Sequence, residues 1–195
     1  LSLPAMAGLL MASEEIVSSL FGYGSFNQDG VENSANALFY FALGLPAFSL
    51  IKILSNFVFA RDNTKIPFYF SLISVIINAS ISIYYFRDFG FIVIPIATSI
   101  SSWINALLLY YFLNHKKFFK VSLRLIFQFF KICFSVLLMT LFLFSSINFF
   151  SVQLEYDSNF KVIYLLLSVI SSAIIYFAIS LLTKAFKLSD IKIRY

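Results

Sequence analysis

Residues 67–86 read PFYFSLISVIINASISIYYF, an unbroken run with no Asp, Glu, Lys or Arg. Wound into an α-helix at about 1.5 Å per residue, a run of ~20 residues covers about 30 Å, the thickness of a bilayer's hydrocarbon core. Its apolar residues are continuous rather than alternating, which excludes a strand of a lipid-facing barrel. The stretch reads as a transmembrane helix, and the chain repeats the pattern on both sides of it. Apolar runs at 38–60, 91–113, 125–150 and 160–183 are each long enough to cross, and a shorter one occupies 1–12. The expectation is an all-α polytopic membrane helix bundle of about six transmembrane helices, the first one truncated, forming a single transmembrane domain over 1–195.

The composition points the same way. Hydrophobic residues make up 61% of the chain and charged residues only 12%, whereas a soluble domain carries about a quarter charged residues to cover its surface. One Cys and one His exclude a disulfide framework and nearly every metal-ligand cluster. Cys133 lies in an apolar run, where it reads as inert packing, and His115 stands among lysines as a solvated base. The chain opens Leu1, Ser2, Leu3, Pro4 inside an apolar run, with no initiator Met, basic leader or cleavage site, so it is expected to be cut open mid-protein.

Charge sets the orientation. Arg61 and Lys65, then His115, Lys116, Lys117, Lys120 and Arg124, then Lys184, Lys187, Lys192 and Arg194 fall in alternate loops and the tail. Lys and Arg near span ends mark the cytoplasmic side, so the C-terminus is expected there. The opposite loops carry Asp29 and Glu32, Arg87 with Asp88, and Glu155 with Asp157, and should face outward. This sidedness accounts for the net charge of +5 without a nucleic-acid partner. Residues 14–21 place Ile16, Val17, Leu20 and Phe21 on one helical face, as a short interfacial helix would. The turn formers in 22–33 predict a loop outside the membrane.

Polar residues inside spans are costly, so their placement is informative. Ser71, Ser74, Asn78, Ser82 and Tyr85 recur at steps of three or four, as do Thr98, Ser101, Ser102 and Asn105 on the next run. Two such faces would line a hydrated cavity or an ion site; equally, small polar residues let helices pack closely and hydrogen-bond across the contact. Lys52 lies well inside its run and shares a face with Ser49 and Asn56, so it needs an anion, a cavity or a snorkelling path. Lys131 is shallow and snorkels. Gly44 and Pro46 would break or kink their helix, a candidate hinge, although both residues are also common in quiet membrane helices. No His, Asp or Glu is gathered at a span end as acid, base or metal ligand, which argues against an enzyme.

At 37–67 the residues become recognisable. Ala37, Tyr40, Leu43, Gly44, Leu45, Pro46, Phe48, Lys52, Phe57, Ala60, Arg61, Asp62, Thr64, Lys65 and Pro67 form a pattern that resembles the MurJ (MviN) family of lipid II flippases. The stretch SEEIVSSLFGYGSF at 13–26 agrees, and Gly90, Ala97, Thr98, Ser99, Trp103 and Asn105 continue the match. The resemblance covers roughly 3–113, while the last two runs agree in length and sidedness. It implies the C-terminal lobe of a 14-helix transporter of the multidrug, oligosaccharidyl-lipid and polysaccharide exporter superfamily. Such a protein moves undecaprenyl-pyrophosphate-linked peptidoglycan precursor (lipid II) between leaflets by alternating access, for cell wall synthesis. The partners implied are lipid II, membrane lipids and the missing N-terminal lobe, in a bacterial cytoplasmic membrane.

For the site, the resemblance implies a substrate cavity to which Lys52, Asn56, Ser49, Arg61 and Asn105 would contribute. It implies no cofactor except a coupling Na+, at Asn78, Ser82, the carbonyl of Ile94 and Thr98; Ser82 stands where the family has an acidic residue. An apolar groove for the polyprenyl tail would fall on 125–150 and 160–183. The competing readings are another polysaccharide or multidrug exporter of the superfamily, a polyprenyl-phosphate transferase, and a non-catalytic assembly module.

Overall fold

The structure is a computed structural model that describes residues 1–118, 122–158 and 160–185. Its described residues form helices α1 (Ser2–Met11), α2 (Ser13–Phe21), α3 (Gln28–Ala42), α4 (Leu45–Phe59), α5 (Lys65–Phe89), α6 (Val93–His115), α7 (Leu123–Phe149), α8 (Ser151–Leu154) and α9 (Lys161–Leu182). Gln28–Phe59, Leu123–Phe149 and Lys161–Leu182 are each long and apolar enough to cross a membrane. The helical stretch Lys65–His115 turns back on itself, because contacts between Asn78 and Thr98 and between Ser74 and Ser101 require an antiparallel hairpin. Its corner is Gly90, whose φ of +58° falls in the left-handed region that a side chain disfavours. Two spans therefore come from this stretch, joined by a single 3-10 turn at Gly90–Ile92.

The region 22–33, expected to be a loop, is one only as far as Asn27. The Asn27 side chain accepts a hydrogen bond from the Gly30 N–H at 2.9 Å and caps α3, so the turn formers start a helix. Ser122 caps α7 in the same way through the Leu125 N–H. Helix α2 departs from α1 by 75°.

Helices α3 to α6 make one packed group and α7 to α9 another; α1 and α2 touch both. Leu54 and Val58 of α4 close on Leu109 and Leu113 of α6, while Ala7 of α1 packs with Met139 of α7 and Tyr176 of α9. The α7–α9 contact is lined by small residues: Ser135, Ser168, Ser172 and Ser180 are all buried, and Ser146 donates to Ser168 across it. Small side chains let two helices approach where lipid offers no hydrophobic drive to push them together. Most large apolar side chains point outward, as the bilayer requires.

The loops meet in pairs at opposite ends. At one end the Arg61 guanidinium lies 4.2 Å over the Phe118 ring. At the other, the Tyr156 hydroxyl donates to the Phe26 carbonyl at 2.6 Å. Lys120, Lys187, Lys192 and Arg194, which entered the charge argument, lie outside the described residues.

Candidate functional site

The two polar stripes face each other. The Asn78 amide donates to Thr98 Oγ1 at 3.0 Å and to Ser101 Oγ at 3.4 Å, and Ser74 Oγ donates to the Ser101 carbonyl. Thr98 Oγ1 in turn donates to the Ile94 carbonyl at 2.8 Å, and Ser102 Oγ to the Thr98 carbonyl at 2.6 Å. Phe48 and Ile51 of α4 close the other side, leaving a cavity of about 420 Å³ lined by Ser71, Ser74, Asn78, Thr98, Ser101, Ser102 and Asn105. Asn105 is buried against it, and its Oδ1 finds no hydrogen-bond partner among the described residues. A buried acceptor left dry costs about 1–3 kcal/mol, so this seam has capacity for a polar guest as well as for helix pairing.

Three of the four sodium candidates are brought together. Thr98, Ile94 and Asn78 engage one another in a hydrogen-bonded chain, and Ser82 Oγ, one turn along, is buried without a partner among the described residues. All four are neutral. A hard cation favours several free oxygens and usually carboxylates, so these residues fit a helix–helix contact better than an ion shell.

The substrate-cavity candidates are dispersed. Ala47, Leu54 and Val58 turn α4 toward α6, which puts Ser49, Lys52 and Asn56 on the far side; Lys52 and Asn56 are exposed and Ser49 half-buried. Arg61 lies at the helix end, donating to the Phe57 carbonyl at 2.7 Å, and Asn105 belongs to the α5–α6 seam. Within this chain the stripe on α4 and the seam are two different surfaces.

The hinge candidate is a true interruption. The helix stops at Leu43–Gly44 and restarts at Leu45, with Pro46 in the first turn of α4, where its missing N–H costs nothing. Carbonyls freed by the break are taken up by α6: Ser99 Oγ donates to the Tyr40 carbonyl and Trp103 Nε1 to the Leu43 carbonyl at 3.0 Å. A Cβ on Gly44 would lie 3.0 Å from Ser99 Oγ and 3.1 Å from the Phe48 ring, so α6 and α4 approach closely here.

Lys161 escaped the sequence reading. It is only 1% exposed, its Nζ donates to the Gly22 and Tyr156 carbonyls at 2.8 Å each, and the rings of Tyr23 and Tyr156 cover it at 4.2 and 4.8 Å. The signal was the pair of tyrosines beside Gly22 and Asp157, but nothing in the sequence joins segments so far apart. At the same end, burial raises the Glu15 carboxyl above its ordinary range, against a backbone hydrogen bond that lowers it, and neighbouring Glu14 raises it further.

Comparison with known proteins decides the family. A family model described as lipid II flippase MurJ matches residues 1–167. The chain belongs to the MurJ family. The match runs through α7 and into α9, beyond the 3–113 that the sequence pattern covered. Similar MurJ relatives include probable lipid II flippases from Rickettsia prowazekii (strain Madrid E), 37% identical over 127 residues, and from Rhizobium meliloti (strain 1021), 41% identical over 110. These alignments cover 64% and 56% of this chain but 25% and 21% of the relatives, so the chain spans about a quarter of the length of the curated MurJ proteins it matches. A solved structure of lipid II flippase MurJ in an inward closed conformation superposes with a TM-score of 0.74 at 25% identity, covering 92% of this chain and 35% of that one. The all-α membrane bundle is thus the MurJ fold.

Proposed function

We propose that this chain works as the C-terminal part of a lipid II flippase, carrying the undecaprenyl-pyrophosphate-linked precursor across a bacterial cytoplasmic membrane by alternating access. The family match over 1–167, on a fold shared with a solved flippase, is the observation that carries the reading. The reaction makes and breaks no covalent bond, so the protein is a transporter rather than an enzyme. The end bearing Arg61 and Phe118 is the cytoplasmic one, by the excess of Lys and Arg in its loops, and the C-terminus lies on that side.

In this reading Lys52, with Ser49 and Asn56, faces the remaining lobe and adds positive potential for the pyrophosphate. The break at Leu43–Gly44 is where α3 and α4 change angle as the cavity opens and closes. No step is routed through sodium: the residues present are neutral, and Asn78, Thr98 and Ile94 are hydrogen-bonded to one another. The test is complementation of a flippase-depleted bacterium by the full-length protein. Growth should be restored by the wild type and lost with Lys52→Leu at equal membrane abundance; undiminished growth with Lys52→Leu would remove Lys52 from the substrate path, and no growth with the wild type would overturn the function.

A further inference from the structure

A second polar cavity, of about 320 Å³, lies at the end of the molecule away from Arg61, where α2, α3, the end of α7, α8 and residues 155–156 converge. Glu14, Glu15 and Glu155 line it together with Asn148, Ser18 and Tyr156, and among the described residues no Lys or Arg does. Ser18 is 6% exposed, and its hydroxyl has no hydrogen-bond partner among the described residues although it borders the cavity. The lining is therefore anionic, rich in acceptors, and holds a buried polar atom that is short of a bond.

The chemistry of the occupant follows from how these groups are spread. Among the described residues no three carboxylates, imidazoles or thiols stand close enough to share one metal ion, so the three glutamates do not make a metal shell. A space of this volume takes a group of several heavy atoms rather than one water. Among the described residues Tyr156 is the one aromatic wall, which is too few for the cage that holds a quaternary ammonium. Hydroxyl, amide and carboxylate oxygens on several sides suit a cation with several N–H donors, that is, a primary ammonium group.

The setting points to the source. Tyr23 stands 51% exposed at this end of the bundle, beside the exposed Phe21, Phe149 and Phe160. A tyrosine at a span end, apolar along its ring and polar at its hydroxyl, marks the headgroup level, with the phenylalanines at the edge of the hydrocarbon. We propose that this cavity binds the primary ammonium of a lipid headgroup and thereby ties α2 and α3 to the α7–α8 corner. Burial raises the Glu15 carboxyl, and a cation beside it would offset that rise by favouring the charged form. The inference does not rest on transport activity, and its test reads lipid retention alone.

The purified full-length protein is placed in nanodiscs containing equal phosphatidylethanolamine and phosphatidylcholine, and lipids that stay bound are counted by native mass spectrometry. Phosphatidylethanolamine should be retained about tenfold over phosphatidylcholine, whose methyl groups remove the N–H donors. The isosteric pair Glu15→Gln and Glu155→Gln should abolish that preference, and Ser18→Ala, which leaves the charges alone, should lower it about threefold. Equal retention of both lipids by the wild type, or an unchanged preference in both variants, overturns the proposal. Displacement of the lipid by millimolar ethanolamine assigns the site to a free amine, and displacement by Mg2+ assigns it to a metal; either result overturns the lipid source, whereas resistance to both supports it.

Discussion

Replacing Lys161 by Met tests how the end of the bundle opposite Arg61 is held together. The Lys161 ammonium donates two hydrogen bonds of 2.8 Å to carbonyls of Gly22 and Tyr156, which come from opposite ends of the chain. Hydrogen bonds to a charged group contribute about 1.5–3 kcal/mol each, but desolvating the ammonium offsets part of this, and Met keeps the packing of the stem. A net loss of about 2–3 kcal/mol remains, which corresponds to roughly 30- to 150-fold more frequent local opening of the segments it joins. Hydrogen exchange followed by mass spectrometry on peptides covering 20–31 and 154–164 reads that opening directly. Both segments should accelerate together, while Lys131→Met, at an exposed position on α7, should leave them unchanged. Acceleration below about threefold, or in one segment alone, would refute the idea that a single buried cation couples the two corners.

Other consequences follow from the same geometry. A Cβ on Gly22 would fall 2.5 Å from the Ser18 carbonyl oxygen, so Gly22→Ala should displace the end of α2 and cost about 2–3 kcal/mol, read as a lowered unfolding temperature in detergent. Trp103→Phe removes the donor to the Leu43 carbonyl and should destabilise the α3–α4 break by about 1 kcal/mol, with faster exchange confined to the break and the adjoining turn of α4. Asn78→Leu removes the amide that bridges α5 and α6 and should cost about 0.6–2 kcal/mol of stability. Growth support by Asn78→Leu at matched abundance would show that the pairing serves packing alone.

The spans were legible because a continuous apolar run of bilayer length has few other readings, and the stripes were legible because helical spacing maps directly onto a face. The pairing of Asn78 with Thr98 and of Ser74 with Ser101 follows once the corner is placed at Gly90. What the sequence concealed were contacts that depend on neighbours far along the chain. Lys161 opens an apolar run, where a lysine ordinarily snorkels, and only the approach of Gly22 and Tyr23 encloses it. Ser99 and Trp103 matched the family pattern without revealing that they brace the carbonyls of Tyr40 and Leu43. Asn27 was read as turn chemistry when it is a helix cap, since the same side chain serves both and only the following residues decide.

The position of α1 and α2 between the two helix groups bears on how the protein is made. Gly22 and its partner Lys161 are separated by 139 residues, and the Ala7 contact with Met139 and Tyr176 is similarly remote. As the chain enters the membrane in order, α1 and α2 can pack on α3 and α4 at once, but their contacts with α7 and α9 form only when those helices have been threaded. During that interval the corner joined by Gly22 and Lys161 is unmade. Ribosome stalling after α6 should therefore leave a species prone to proteolysis at 22–27, and completion of α9 is the event that protects it.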